Sequence, residues 1–331
     1  MRVSTSDFHS MATPDQSDKI AKQLKLVDLP PFPAVAIRAL QLVSQSETRL
    51  SELHDLVSAD PAFASEILRL ANSPLYGIRV EITSTVQATI LLGFERVKGL
   101  ALTIAMRAYI ADLLHVPALR ASWRHSLACA AVAEDLAAAS LLDKDSAYTG
   151  ALLHDIGRLA LAVMQPDLYS QLFHGMTGTA EAVLQKEREL FGVDHCEAGR
   201  LLTSSWGLPQ IFIDITSHHH DQSQPARSDL AGLISMACRM ADALGFEFAP
   251  NPGCESYQLL ISQLPGAVRE QMPVDPNEIA SRITDKISCV ESMHSSSPAH
   301  SDQGNRSNPP VVVDVGQHLS TTSPSAHGRP H

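Results

Sequence analysis

Two histidines and two aspartates in the sequence have the side-chain chemistry of metal ligands. His125, His154, Asp155 and Asp242 each lie in a stretch whose apolar spacing is helical, so their side chains are expected to be buried. Burying such groups without partners is costly. Imidazole nitrogens and carboxylate oxygens suit Zn, Mn or Fe, and the four residues, brought together from three helices, would form a metal site. A divalent metal would satisfy all four groups at once.

Each of the four residues also has an interpretation without metal. A buried histidine or aspartate, taken singly, usually bonds a neighbouring backbone carbonyl or caps a helix. The order and the contexts of the four residues together favour the metal site. If metal is bound, a bridging water of lowered pKa would be able to attack a phosphorus centre, and Arg158 is a basic side chain that would hold phosphate oxygens.

The helices that must position these residues can be recognised from the apolar pattern. The Ala-rich stretch from Trp123 to Ala139 is a strong helix former and carries His125, and another helix is predicted from Thr149 to Met164. Upstream, Asp60-Pro61 and Ser84 predict helix starts. Strand patterns are hard to find, so the predicted fold class is all-α.

Composition narrows the class of protein. A chain of 331 residues with 44% apolar content is able to bury one large core or two modest ones. The five cysteines form no CxxC pair, which fits a reducing, cytoplasmic location. No apolar run reaches about 18 residues, so neither secretion nor membrane insertion is expected. The net charge of −11 argues against nucleic acid as a partner.

The two ends of the chain differ from its middle. Residues 1–18 are polar and aperiodic, and residues 291–331 are rich in Ser, Pro and His without a sustained apolar period. We therefore predict a disordered N-terminus, one helical region at 19–290 and a disordered tail.

The metal-ligand candidates resemble a known superfamily. His125, then His154 and Asp155 followed by Ile-Gly, then a distant Asp242, look like the pattern of the HD superfamily of metal-dependent phosphohydrolases. The resemblance is closer to the HDOD branch and runs from about residue 29 to residue 242. It rests on segments 29–33 (Leu-Pro-Pro-Phe-Pro), 60–61 (Asp-Pro), 68–73 (Leu-Arg-Leu-Ala-Asn-Ser), 92–93 (Leu-Gly), 191–199, 206–209 and 218–219.

This resemblance implies an HD-domain-like helical bundle with an N-terminal helical lobe, divided at 19–112 and 113–290. It implies a bacterial signal-transduction or regulatory protein that acts as a binding or relay module, with other signalling proteins, a nucleotide second messenger or a second copy of the chain as partners. The alternative that it leaves open is a metal-dependent phosphohydrolase or phosphodiesterase acting on a nucleotide or cyclic dinucleotide.

The related HD-GYP phosphodiesterases add further expectations. His195 and either His218 or His219 resemble positions that extend the site to two or three metals in that family, and of the run 218–220 we favour His219. The predicted metal ligands are then His125, His154, Asp155, His195, His218, His219 and Asp242. The Gly-Tyr-Pro element of the family is missing, because residues 221–227 are Asp-Gln-Ser-Gln-Pro-Ala-Arg, which argues against cleavage of cyclic di-GMP.

Overall fold

The computed structural model describes residues 61–175, 178–220 and 230–292, together with 37–38, 52 and 55–57. All of these lie in one compact unit, Met1–Ser296; a second unit, Ser297–His331, lies outside the described residues. The predicted disorder of 1–18 and of the tail beyond 292, and the predicted N-cap at Asp60, also fall outside them.

Helices account for the described fold, and no strand forms within the ranges given above, which confirms the all-α prediction. None of the described helices is long and apolar enough to cross a membrane. The helices are α1 (Pro61–Ala71), α2 (Thr85–Leu92), α3 (Phe94–Tyr109), α4 (Pro117–Ser140), α5 (Lys144–Leu153), α6 (Gly157–Met164), α7 (Pro166–Gly175), α8 (Ala180–Phe191), α9 (His195–Ser205), α10 (Gln210–His218), α11 (Leu230–Ala241), α12 (Tyr257–Gln263), α13 (Gly266–Arg269) and α14 (Pro276–Glu291).

Helix α4 is the central element and contains the predicted stretch 123–139. Many of its buried side chains are alanines, and small side chains allow neighbouring helices to approach closely. Helices α5 and α11 pack most extensively against it. His125 therefore lies in the middle of the core, facing helices that come from later parts of the chain.

The prediction of one continuous helix from Thr149 to Met164 is wrong. Helix α5 ends at Leu153, and α6 begins at Gly157 after a turn. A Cβ atom at Gly157 would lie 1.9 Å from the backbone oxygen of His195 and 2.5 Å from the backbone nitrogen of Gly199. Close packing of α6 on α9 therefore requires glycine and redirects the chain, which overrides the local helix propensity.

Helices α1 to α3 lie within residues 19–112, the range predicted as an N-terminal lobe. Ser84 caps α2 as predicted, because its hydroxyl accepts a hydrogen bond from the backbone N–H of Gln87 at 3.1 Å. Helix α3 packs on α5, and the buried apolar residues on both sides of the predicted lobe boundary form one continuous core. The predicted lobe boundary at residue 112 falls in a short 3-10 turn, Ala111–Leu113.

Candidate metal centre

His154 and Asp155 occupy the turn between α5 and α6 and are buried, with 0% and 2% of their surface exposed. The Nδ1 atom of His154 lies 2.6 Å from the carbonyl oxygen of Ala151. Because a carbonyl only accepts hydrogen bonds, Nδ1 carries a proton, and in the neutral imidazole Nε2 has the lone pair. Metal-binding histidines are commonly held in this way by a partner on the other ring nitrogen.

His125 on α4 is oriented in the same manner. Its Nδ1 atom donates to the carbonyl oxygen of Phe246 at 2.8 Å, so Nε2 is the ring nitrogen that a metal would take. Asp242, in a π-helical turn that follows α11, has Oδ1 3.3 Å from the same Nδ1. The structure therefore brings His125 and Asp242 into contact, but Asp242 lies at the edge of the ring that does not carry the free lone pair.

His195 begins α9 and is fixed by a buried carboxylate on α8. Its backbone nitrogen and its Nδ1 atom lie 2.9 and 2.6 Å from Glu187 Oε2. Burial and the charge of Arg158 hold the pKa of His195 well below its usual range, so the imidazole is neutral. Its Nε2 atom lies 3.3 Å from Asp155 Oδ1. The Asp194 side chain caps α9 by accepting from the Glu197 N–H at 2.9 Å.

Several buried polar atoms in this cluster have no hydrogen-bond partner among the described residues. They are His154 Nε2, Asp155 Oδ1, His219 Nε2 and His220 Nε2. The first three residues offer ligand atoms that lie within 4.8 Å of one another, and His219 Nε2 is 3.4 Å from Asp155 Oδ1. Buried polar groups are rarely left unsatisfied, and two imidazole nitrogens with one carboxylate oxygen match the donors that divalent transition metals prefer. The residues present therefore fit a metal ion.

Arg158 supplies the fixed positive charge of the cluster. Its Nε donates to Asp155 Oδ2 at 2.8 Å, its Nη1 donates to Glu187 Oε1 at 3.1 Å, and its guanidinium lies 3.9 Å from the ring centre of Phe248. Burial alone would raise the pKa of Asp155, but Arg158 and the neighbouring histidines hold it well below its usual range. Asp155 is therefore an anion with one oxygen held by Arg158 and the other available to a metal.

A cavity of about 190 Å³ opens beside the cluster. Three imidazoles and several charged side chains contribute to its wall: His125, His219, His220, Arg158, Asp242 and Glu247. Burial raises the pKa of Asp242 to about 7, although His125 opposes this effect. A ligand in the cavity would contact the same imidazoles that carry the free nitrogens.

The predicted ligands do not all meet. His218 is exposed at the end of α10, and its Nδ1 lies 2.9 Å from the backbone oxygen of Asp214, so the structure leaves it outside the cluster. His220, which the sequence reasoning did not single out, joins the cluster with its ring centre 4.2 Å from that of His219. Glu187 was also missed. Glu187 lies on the same face of α8 as the apolar residues Val183 and Leu184, and all three are buried. A carboxylate on the apolar face of a helix is unusual, and this position could have identified it from the sequence.

The chain belongs to the HDOD domain family, whose model matches residues 29–222. A protein of Treponema pallidum (strain Nichols), named only as uncharacterised, is 22% identical to it over 220 residues, which are 62% of this chain and 40% of that protein. The chain thus spans less than half the length of this relative.

Solved structures share the fold. An HDOD domain protein of unknown function from Geobacter sulfurreducens matches with a TM-score of 0.64 and 24% identity, covering 83% of this chain and 99% of its own. A candidate signal transduction protein from Marinobacter aquaeolei VT8 matches with a TM-score of 0.63 and 20% identity, covering 85% and 67%. A candidate metal-dependent phosphohydrolase from Shewanella amazonensis SB2B matches with a TM-score of 0.54 and 21% identity, covering 84% and 97%.

Proposed function

We propose that this chain is a metal-binding regulatory protein of the HDOD family, in which a buried metal centre closes one side of a small ligand cavity. The observation that carries the proposal is that His154 Nε2, Asp155 Oδ1 and His219 Nε2 are buried without hydrogen-bond partners in the described structure, and that these three residues offer ligand atoms within 4.8 Å of one another. A divalent cation would satisfy all three atoms. We name these three residues the Asp155 centre.

The donor set of the Asp155 centre suits Fe, Mn or Zn. A bound cation would act as a Lewis acid and lower the pKa of a water bound to it. The surrounding residues hold the donors in place: the Ala151 carbonyl fixes the ring of His154, and Arg158 neutralises Asp155. Such outer partners typically change metal affinity about 10- to 100-fold.

The regulatory role is supported by family membership and by the size of the cavity. Its volume of about 190 Å³ is below the roughly 300 Å³ at which pockets for drug-sized ligands begin. A small anion, or one phosphate-bearing part of a nucleotide, fits this space better than a whole cyclic dinucleotide. We assign contact with another signalling protein to the N-terminal lobe; assembly as a homodimer stays a prediction.

A metal-dependent phosphohydrolase is the second candidate, and direct access from the cavity to the imidazoles favours it. The position of Arg158 argues against hydrolysis. Its guanidinium is held by Asp155 and Glu187, so its charge neutralises buried carboxylates and is not free for a substrate phosphate. For this reason we place ligand-dependent regulation ahead of hydrolysis.

The test is the metal content of full-length protein purified without a histidine tag, measured by elemental analysis. We expect near-stoichiometric Fe, Mn or Zn in the wild type, loss of Fe and Mn in Asp155→Asn, and loss of all three metals in His154→Ala. Asp214→Asn is the matched control, because Asp214 is exposed and pairs with Gln210 on the surface. Absence of metal from the wild type, or equal Fe and Mn contents in Asp155→Asn and the control, would refute the proposal.

Turnover of phosphomonoesters and cyclic dinucleotides, measured on the same samples, separates the two candidate functions. A metal-loaded wild type without turnover supports the regulatory role. Turnover that is lost together with metal in Asp155→Asn supports the hydrolase.

A further inference from the structure

Two buried thiols lie against the imidazole of His125. Cys129 is one helical turn after His125 on α4, and its Sγ atom lies 3.3 Å from His125 Nε2. Cys238 comes from α11 on the opposite side, with its Sγ atom 3.4 Å from the same nitrogen. The thiols are 0% and 5% exposed. They therefore surround the one nitrogen of His125 that the Phe246 carbonyl leaves free.

His154 completes the group. Its ring centre lies 5.3 Å from that of His125, and its Nε2 atom has no hydrogen-bond partner in the described part of the chain. The four ligand atoms, one from each of His125, Cys129, His154 and Cys238, lie within 4.8 Å of one another. Bond lengths of about 2.0 Å to nitrogen and about 2.3 Å to sulfur place tetrahedral donors roughly 3.3–3.8 Å apart. Small side-chain movements would bring the four ligand atoms to the spacing that one tetrahedral ion requires.

We propose that His125, Cys129, His154 and Cys238 form a second metal site, of the His₂Cys₂ type, that takes Zn²⁺ in preference to harder ions such as Mn²⁺. The preference follows from the donors, because thiolates select zinc whereas carboxylate oxygen suits manganese. Binding one Zn²⁺ releases two protons to solvent and leaves a neutral complex of two thiolates and two imidazoles. We name this set the thiol site.

The thiol site and the Asp155 centre share His154. This residue has one free nitrogen, because its Nδ1 is committed to the Ala151 carbonyl. A metal that binds His154 together with the thiols therefore withdraws the residue from the Asp155 centre. The two sites are alternatives at His154, and the metal supplied to the protein decides which one is complete. His125 and Cys238 both line the cavity, which gives an ion a route to the thiol site.

The experiment is Co²⁺ substitution of the full-length, metal-stripped, reduced protein, followed by absorption spectroscopy. Thiolate ligation produces an intense sulfur-to-cobalt charge-transfer band in the near ultraviolet, and nitrogen and oxygen ligands alone do not. We expect this band in the wild type at about one Co²⁺ per chain. Absence of the band from the folded wild type overturns the proposal, and this readout needs no variant to fold.

Variants assign the band to its ligands. We expect its loss in Cys129→Ser and Cys238→Ser, and Zn²⁺ affinity lowered by more than the roughly 10- to 100-fold that loss of an outer partner costs. Cys289→Ser is the matched control, because Cys289 lies on α14 and belongs to none of the described groups of metal-ligand residues. A band that survives in both variants overturns the proposal. Asp155→Asn should keep the band, so failure of the Asp155 centre and failure of the thiol site give different results.

Discussion

At the scale of single residues, the cluster depends on a balance of buried charge. Arg158 is held between Asp155 and Glu187, and all three side chains are almost fully buried. Burial raises the pKa of Glu187 to about 7, although Arg158 and the His195 backbone oppose this effect. A buried ion pair adds little net stability, but removal of one partner leaves an uncompensated charge. Arg158 is therefore a structural requirement of the cluster.

Replacement of Arg158 should be far more costly than replacement of an exposed arginine. We expect Arg158→Gln to lower the free energy of unfolding by about 3–5 kcal/mol, because it leaves Asp155 and Glu187 buried without their cation. Arg282→Gln is the matched control: Arg282 pairs with Asp135 on the surface and should cost about 0–1 kcal/mol. Urea denaturation measures both. Equal losses of unfolding free energy in the two variants would contradict the role of Arg158 in neutralising Asp155 and Glu187.

Some residues of the site could be predicted from the sequence because a local pattern marks them. Others could not, because only the folded chain brings them to their partners. The adjacent pair at 154 and 155 was recognisable because two polar residues interrupt an apolar stretch. His218 and His220 were not separable by sequence, because the choice depends on where α10 ends. Cys129 and Cys238 were missed because their partner in each case is a histidine, reached across one helical turn or across the core.

At the scale of elements, the contact between α6 and α9 positions His195 against Asp155. Gly157 allows this contact, and no side chain larger than hydrogen fits there, since its Cβ would meet the His195 backbone oxygen at 1.9 Å. The sequence predicted α4 well because its signal is local. The break before Gly157 was not predictable from propensity, because its cause is a backbone that lies about 40 residues further along the chain.

Gly157→Ala should therefore destabilise the protein although alanine favours helices. We expect a loss of at least about 1–3 kcal/mol from overpacking, together with weaker metal binding because α9 must move. Gly99→Ala, in the interior of α3, is the matched control: its Cβ would meet only the Tyr148 ring, at 3.7 Å, and should stabilise by about 0.5–1 kcal/mol. Thermal and urea unfolding measure the change in stability of both variants. A neutral Gly157→Ala would show that the two helices separate easily.

Helix α14 is tied to α4 by a half-buried carboxylate. Glu134 accepts from Lys286 at 3.0 Å and from Arg96 of α3 at 3.3 Å. Burial would raise the pKa of Glu134, but Lys286 and Arg96 outweigh it and lower the pKa from the usual 4.5. A pKa that is lower in the folded state stabilises the fold above the unfolded value, and this contribution is lost as pH falls through the folded value.

Glu134→Gln should accordingly lower the free energy of unfolding by about 1 kcal/mol at neutral pH. The difference from wild type should shrink as the pH falls below about 4.5, where the wild-type carboxyl becomes protonated in turn. Glu189→Gln removes an exposed partner of Lys186, so its pH-dependent difference should be smaller than that of Glu134→Gln. Urea unfolding between pH 3 and pH 7, roughly the range over which carboxyl groups titrate, measures the stability difference between each variant and the wild type. A difference that stays constant with pH would exclude Glu134 as the cause.

At the scale of the whole molecule, the residues of the Asp155 centre and the helices packed around them come from most of the described fold. The donors come from the turn after α5 and from the end of α10, and α4, α8, α9 and α11 surround them. Such a site exists only in the folded chain, so bound metal stabilises the protein by about 2.7 kcal/mol when the free metal is 100 times its Kd. Metal binding and folding should therefore be coupled.

The most direct test of the Asp155 centre compares two neighbouring histidines. Metal-stripped, tag-free wild type, His219→Ala and His218→Ala are titrated in turn with Fe²⁺, Mn²⁺ and Zn²⁺, and bound metal per chain is counted. His219 faces Asp155 with an unpaired nitrogen, whereas His218 is exposed and bonded to the backbone. We expect His218→Ala to bind at least one of these metals as wild type does, and His219→Ala to lose that binding. Equal binding of all three metals by both variants would contradict this prediction.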